Sequence, residues 1–193
     1  MRVERSLIGT IEEGTMTNDL ITRFAEKQKR GWYLCPRCGC DRMSKDAVKN
    51  ALSRRADIYI CDTCGAMEAI EDYPCAEGIF PVTPASWVLS EHPERYFIRG
   101  EDYTEFFFTF GTWEGFPFPG SYILVEGFDR DDAVSRFRQR FPDKKRGEYL
   151  PAIPCYSLVF THEEWEHSEL AKYNGASHCA GILRLTGRFE AVE

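Results

Sequence analysis

The chain has 193 residues, a formal net charge of −7 and an apolar share of 43%. That apolar share is enough for a packed core, which excludes a wholly disordered protein. No run of about 18 apolar residues occurs, so no membrane-spanning helix and no membrane partner are expected. The N-terminal residues lack the apolar stretch of a secretory signal, and eight cysteines without such a signal favour a reducing compartment and metal binding over disulfides. The expected location is the cytoplasm.

The first predicted element is a helix that follows an N-terminal extension, residues 1–16. Thr17 or Asn18 is a candidate N-cap, apolar residues then recur with helical spacing, and Gly31 is expected to end the helix. Residues 32–34 are expected to form a short strand that leads into the first cysteine motif.

Two Cys-x-x-Cys motifs follow, each with a glycine directly after its second cysteine. The candidate metal ligands are Cys35, Cys38, Cys61 and Cys64. Four thiolates in two pairs form a closed tetrahedral shell, which predicts one structural Zn²⁺ per chain. The 22 residues between the motifs exceed the usual spacing of about 15–20, so the insert is expected to fold. A shell saturated by sulfur leaves no position at which the metal would activate water, which argues against a metal-dependent hydrolase.

The insert between the motifs is predicted to be helical. Ser44 is a candidate N-cap. One apolar stripe would pack beside the metal: Ala47, Val48, Ala51 and Leu52. Residues 58–60 are then predicted to form a strand that ends directly before Cys61.

Basic residues are concentrated in residues 23–60, which contain ten Lys and Arg against four Asp and Glu. This segment therefore carries +6 and the rest of the chain −13. The candidate contacts to phosphate or to an acidic partner are Arg37, Arg42, Lys45, Lys49, Arg54 and Arg55. A solvated helix surface is the alternative interpretation of the same residues.

A proline-rich connector, residues 73–100, follows the second motif, and Trp87, Val88 and Leu89 within it are expected to pack on a neighbouring unit. The predicted division is an extension (1–16), a zinc-ribbon domain (17–72), this connector, and an α+β module (101–193). Either Met1 or Met16 fits as the initiator.

The C-terminal module is predicted to have the order β-β-α-β-α, which gives an α+β fold. Strands are expected over 104–110, 121–126 and 155–160, with Phe106, Phe108 and Phe110 on one face of the first. Asp129 is expected to cap a helix whose buried residues are Ala133, Val134, Phe137 and Phe141, while Arg136, Arg138 and Arg140 face elsewhere. Thr161 and Glu164 form a capping box that opens a final helix.

The remaining chemistry-bearing residues suggest no catalytic site. Cys40 is interpreted as a packed thiol, with a fifth zinc ligand as the alternative, and Cys75, Cys155 and Cys179 are interpreted as buried small side chains. An acidic helix face carries Glu163, Glu164, Glu166 and Glu169. A solvated surface is its default interpretation, and an acidic surface that mimics phosphate is the alternative. The proline-rich loop after the first strand holds three large apolar residues, Trp113, Phe116 and Phe118, which would either bind a partner or be buried.

Two parts of the chain resemble proteins of mobile elements. Residues 30–39, 50–56 and 61–65 resemble small zinc-ribbon proteins encoded by phages and mobile elements of Gram-positive gut bacteria. Residues 108–111, 122–126, 133–142 and 156–160 resemble a short phage module of β-β-α-β order.

These resemblances imply a mobile-element accessory protein in a bacterial host cell. Neither of them implies a catalysed reaction. The function expected is non-catalytic binding and inhibition of a host defence machine, such as a CRISPR nuclease effector. The partner would be a host protein or nucleoprotein complex. The alternative is a nucleic-acid-binding accessory or regulatory protein, led by the basic residues between the motifs.

Overall fold

The computed structural model describes residues 13–73, 78, 80–144, 154–169 and 178–192, with side chains from Asp19 onwards. Its helices are α1 (Glu13–Gln28), α2 (Asp62–Glu71), α3 (Val88–Glu91), α4 (Arg130–Arg140) and α5 (His162–His167). Its strands are β1 (Ala51–Leu52), β2 (Tyr59–Ile60), β3 (Thr104–Thr109), β4 (Tyr122–Gly127), β5 (Leu158–Phe160), β6 (Cys179–Leu183) and β7 (Phe189–Ala191). The mixed α+β class is the one that the sequence predicts. Within the described ranges, none of the helices combines the length and apolar character needed to cross a bilayer.

The N-terminal half is built around the hairpin of β1 and β2, in which Ala51 pairs with Ile60. Its core contains Phe24 of α1, Ile58 and Ile60 of the hairpin region, and Trp87, all at most 1% exposed. The packing of Trp87, as well as of the buried Leu89, confirms that the proline-rich connector folds onto a neighbouring unit. Phe24 contacts three aromatic rings edge-on: Tyr33, Tyr96 and Phe97.

Three local predictions in this half are wrong. Helix α1 begins at Glu13, so Thr17 and Asn18 lie inside it and do not cap it. Residues 32–34 form no strand. The insert is not an α-helix, since Ala47–Lys49 is a short 3₁₀ turn and Ala51–Leu52 is strand β1, which leaves Val48 and Leu52 exposed. The α-helix next to the metal site is instead α2, which the sequence patterns did not indicate.

The insert does not form an α-helix, because the Asn50 side chain binds backbone carbonyls that a helix would use. The Asn50 carboxamide donates to the carbonyls of Ser44, Asp46 and Ala47, and it accepts from the Ser44 N–H at 2.7 Å. Asparagine side chains compete in this way with helical hydrogen bonds. The stripe that would have packed beside the metal therefore never forms.

The C-terminal half is a five-stranded sheet with the order β5-β3-β4-β6-β7. All neighbouring strands are antiparallel except β4 and β6, which are parallel. Phe106, Phe108 and Phe110 are buried on one face with Phe137 of α4, as predicted, while Phe107 lies on the other face, stacked on Trp165 of α5. The three predicted strands, the Asp129 cap and the Thr161–Glu164 capping box are confirmed, with β5 shorter than expected. The predicted order is incomplete, because β6 and β7 extend the sheet.

One arginine joins the two halves and corrects the predicted face of α4. Arg136 is 1% exposed, although it was expected to face away from the core. Its guanidinium donates to Leu185 O at 2.7 Å, to Asp132 at 2.9 Å and to Asp19 of α1 at 2.8 Å. Leu185, which follows β6, packs in the N-terminal core.

The four-part domain division stays a prediction.

Candidate metal centre and surrounding surfaces

The four cysteines of the two motifs form one cluster. The sulfur atoms of Cys35, Cys38, Cys61 and Cys64 all lie within 4.8 Å of one another. The Sγ atoms of Cys38 and Cys61 are 3.9 Å apart. Sulfur ligands that lie about 2.3 Å from a tetrahedral metal are separated by about 3.8 Å, so the cluster has the size of such a shell. The chain therefore brings together all four ligands that the spacing predicts.

The first motif is a tight turn held by its own backbone and by the connector. The Gly39 N–H donates to Cys35 O at 2.7 Å, and Gly39 adopts a φ of 69°, which a glycine adopts without strain. The Tyr96 hydroxyl donates to the same Cys35 carbonyl at 2.8 Å. At the start of α3, the Leu89 N–H donates to the carbonyl of Pro36 at 3.0 Å. The connector thus positions the first pair of thiols.

The second motif is the beginning of α2. Cys61 is the N-cap residue and Cys64 lies in the first turn, so one helical turn places both thiols on the same side. The Cys61 N–H also points to the Cys35 sulfur at 3.4 Å. Gly65 lets β1 approach, because a side chain there would place its Cβ 2.4 Å from that of Ala51. The hairpin and the helix therefore fix this motif against the first one.

Burial and hydrogen bonding act in opposite directions on the thiols. Burial raises the pKa of Cys38 and of Cys64 above the ordinary value of a thiol. Burial also acts to raise the pKa of Cys61, but hydrogen bonds from Cys64 and Cys35 outweigh it and lower that pKa. A metal ligated by these residues must displace thiol protons, so its affinity rises with pH.

The side of α2 that faces the protein carries charged groups. Glu68 is 0% exposed, and its carboxylate accepts from Ser53 Oγ at 3.0 Å and from the Arg54 N–H at 2.6 Å. Arg37, between the two cysteines of the first motif, lies 3.2 Å from Glu68 and also pairs with Glu71. The Arg37 guanidinium donates to Cys64 O at 3.3 Å as well. This buried network ties the first motif, the hairpin and α2 together around the thiols.

The opposite side of α2 faces solvent and is apolar. Met67 is 44% exposed, Ile70 is 49% exposed, and Tyr73, just after the helix, is 66% exposed. Ala66 and Ala69 are exposed beside them. A surface helix ordinarily buries its apolar side and exposes its charges. Helix α2 has the reverse arrangement, which explains why its sequence did not predict it as an amphipathic element.

The six predicted basic contacts separate into two groups. Arg37 is buried in its ion pairs and so does not belong to an exposed basic surface. Arg54 and Arg55 both pair with Asp72, at 3.7 and 2.5 Å. The three remaining residues, Arg42, Lys45 and Lys49, are exposed on the loop between the motifs. Among the described residues, Arg42 and Lys45 have no carboxylate within ion-pair distance, while Lys49 pairs with Asp46 at 3.7 Å, the distance that also separates Arg54 from Asp72.

The predicted apolar patch in the C-terminal half is mostly covered. Phe118 packs against Phe110, Phe141 and Phe189, and Phe116 is partly buried. Trp113 alone of the three predicted residues remains largely exposed. Burial is therefore the better of the two interpretations of this loop for Phe116 and Phe118.

The other cysteines that the structure describes lie outside the four-thiol cluster. Cys40 is exposed, so the prediction of a packed thiol is wrong, and its sulfur lies 3.7 Å from Cys38 O. Cys155 is buried as predicted, where burial raises the pKa of its thiol to about 12, while Cys179 is only partly buried. Cys75 lies outside the described residues. The acidic residues of α5 are exposed, and Glu164 pairs with Arg130.

Comparisons with protein-family models, with curated proteins and with solved structures find no match for this chain.

Proposed function

We propose that this protein is a non-catalytic interaction protein, in which one structural zinc ion holds α2 in place as a docking helix for another protein. The observation that carries the proposal is the reversed polarity of α2. The helix buries Glu68 and Glu71 and exposes Met67, Ile70 and Tyr73. Burying carboxylates has a free-energy cost, and the helix keeps this orientation because two of its residues are placed by the thiol cluster.

Zinc is the metal that suits the four cysteines best. Thiolates are soft ligands, and a closed set of four sulfur atoms in tetrahedral arrangement is typical of structural zinc sites. Such a shell has no open position for a substrate or for water. Cys35, Cys38, Cys61 and Cys64 would hold the ion, which would supply folding free energy. This supports a binding function over a metal-dependent reaction.

The exposed face of α2 has the spacing of a helix that docks into a groove. Met67 and Ile70 lie three residues apart on α2, which matches the i and i+3 anchor positions of helix-in-groove recognition, and Tyr73 follows just after the helix. Full burial of one such side chain contributes about 1.5–3 kcal/mol, so a side chain that starts half-exposed would add about 1 kcal/mol. The matching partner surface is a hydrophobic groove on a protein.

The mobile-element resemblance of the sequence directs this proposal to a host target. We take that target to be a nuclease effector of a bacterial defence system, which the protein would bind and inhibit in the cytoplasm. Inhibition of this kind requires only that α2 occupies a surface which the effector uses.

The test is a comparison of three proteins in a host that carries a nuclease-based defence. The wild type should protect an incoming phage or plasmid. The double variant Met67→Gln/Ile70→Gln should lose about 2 kcal/mol of binding, or roughly thirtyfold in affinity for the purified effector. Ile98→Gln is the matched control, because Ile98 is 55% exposed in the connector. Binding is measured by calorimetry, and zinc content confirms that each variant is folded.

Each result decides between interpretations. If the wild type neither protects nor binds any purified effector, the inhibitor proposal fails. If the double variant protects as well as the wild type, α2 is not the docking surface. If size-exclusion chromatography with light scattering shows a wild-type dimer that the double variant loses, α2 binds a second copy of this chain instead of a host protein.

A further inference from the structure

The loop between the two cysteine motifs holds three cations in solvent. Arg42, Lys45 and Lys49 are exposed, and the closest carboxylate to Lys49 is that of Asp46, at 3.7 Å and itself half-exposed. Across the part of the chain that the structure describes, no carboxylate lies within ion-pair distance of Arg42 or Lys45. These cations are therefore available to an anionic partner. Arg37 differs because it is buried in its ion pairs, and Arg54 and Arg55 both pair with Asp72.

Hydrogen bonds from one side chain hold the loop that carries these cations in a single conformation. The Asn50 side chain makes four hydrogen bonds to its backbone, at distances between 2.7 and 3.2 Å. The Lys49 N–H donates to Asp46 O at 3.1 Å, which closes the 3₁₀ turn. A loop held in this way loses little conformational entropy when a ligand binds.

An exposed tryptophan lies against the same loop. The Trp32 indole N–H donates to Met43 O at 2.9 Å, directly between Arg42 and Ser44 in the chain. Trp32 is 41% exposed, so much of its ring remains open to solvent. The hydrogen bond fixes this ring against the backbone of the loop that carries the cations. A flat aromatic surface and exposed positive charges on one loop are the combination that binds unpaired bases and their phosphates.

We infer that Trp32, Arg42, Lys45 and Lys49 bind single-stranded nucleic acid. A base stacks on the indole and the three cations contact neighbouring phosphates. Single strands are favoured over duplex, because only an unpaired base can stack on a side chain. The loop also contains Asp41 and Asp46, so the affinity is modest and depends on low salt. This contact lies outside α2 and goes beyond the proposed function.

The first measurement is the salt dependence of binding. The full-length, zinc-loaded protein is titrated into a fluorescein-labelled 15-nucleotide oligo(dT), and anisotropy is recorded at 50 and 200 mM NaCl. Three phosphate contacts on a single strand give a slope of about −2 for log affinity against log salt, so affinity should fall roughly twentyfold between these concentrations.

Variants separate stacking from charge. Trp32→Leu should weaken binding about fivefold or more without changing the salt slope, since one stacked base is worth at least about 1 kcal/mol. Trp32→Phe keeps a ring but loses the N–H, and it should retain most of the affinity. Arg42→Gln/Lys45→Gln should reduce the slope by about 1.4. Arg188→Gln, which removes an exposed cation from the C-terminal half, is the matched control and should change neither quantity.

Three outcomes would overturn the inference. The first is no change in anisotropy at 50 mM NaCl with 100 µM protein. The second is equal binding by the wild type and Trp32→Leu, and the third is tighter binding to a duplex of the same length. The α2 double variant adds no charge and should bind oligo(dT) like the wild type, so failure of this inference and failure of the α2 proposal remain distinguishable.

Discussion

Replacing Arg37 with leucine tests whether this residue holds the metal centre together or contacts a partner. Arg37 is 7% exposed and its guanidinium faces Glu68 and Glu71, whose side chains are 0% and 3% exposed. The substitution would leave two buried carboxylates without their main counter-ion. Glu68 would keep its bonds from Ser53 and the Arg54 N–H, whereas Glu71 would keep only Arg55 at 3.6 Å. Breaking a buried pair from one side costs about 3–5 kcal/mol.

The assay is urea unfolding at pH 7 with zinc in excess, followed by circular dichroism. Arg54→Gln is the matched control, because Arg54 pairs with Asp72, the C-cap residue of the same helix, but both side chains are exposed, at 49% and 38%. The Arg54 guanidinium also donates to Gly65 O at 3.3 Å. A surface pair of this kind contributes about 0–1 kcal/mol, and the Arg54 backbone N–H that binds Glu68 is retained. The expected result is a loss several times larger for Arg37→Leu than for Arg54→Gln.

A second measurement keeps the prediction decisive if Arg37→Leu does not fold. Zinc affinity, measured by competition with a chromophoric chelator, should also fall, because Arg37 hydrogen-bonds Cys64 O next to the second pair of thiols. The reasoning would be refuted if Arg37→Leu lost less than about 1 kcal/mol and bound zinc as tightly as the wild type. Arg37 would then be free to serve as the phosphate contact that the sequence suggested.

Two further predictions concern the metal and the helix cap. Cys61→Ser should lower the zinc content from one equivalent to none and remove on the order of 10 kcal/mol of folding free energy from the N-terminal half, while Cys179→Ser keeps its zinc, as elemental analysis would show. Asp129→Ala should cost about 1 kcal/mol at pH 7. The Asp132 N–H and Arg23 hold the Asp129 pKa below its usual value. This contribution is therefore present above about pH 4 and is lost as the pH falls through the folded-state pKa, which urea unfolding at several pH values would detect.

The C-terminal elements were predictable because local signals and tertiary packing agree there. Phe106, Phe108 and Phe110 alternate with the period of a strand and are buried on one face, as the pattern requires. Asp129 and Thr161 cap their helices through the side-chain bonds that their positions suggest. Strands β6 and β7 were missed: β6 pairs in parallel with β4, which lies far away in the chain, and β7 pairs with the neighbouring β6.

The elements around the metal were misread where side-chain interactions override periodicity. The stripe from Ala47 to Leu52 has helical spacing, but the Asn50 side chain takes the backbone carbonyls that a helix would use. Helix α2 has an inverted pattern, since its carboxylates are buried against Arg37 and its apolar residues face solvent. Arg136 gave no local sign of burial, because its partners Asp19 and Leu185 O come from distant segments.

The sequence by itself determined the two pairs of candidate ligands, because two cysteines separated by two residues meet on one turn whatever surrounds them, whereas the fold brings the two pairs together. It also determined the strands and caps whose signals lie within a few residues. Only the tertiary structure decided which charges are buried and which remain in solvent. The physical reason is that a charged side chain is buried only when other segments supply its partners, as Glu68 and Glu71 of α2 do for Arg37. A local sequence pattern does not show which distant residues will meet.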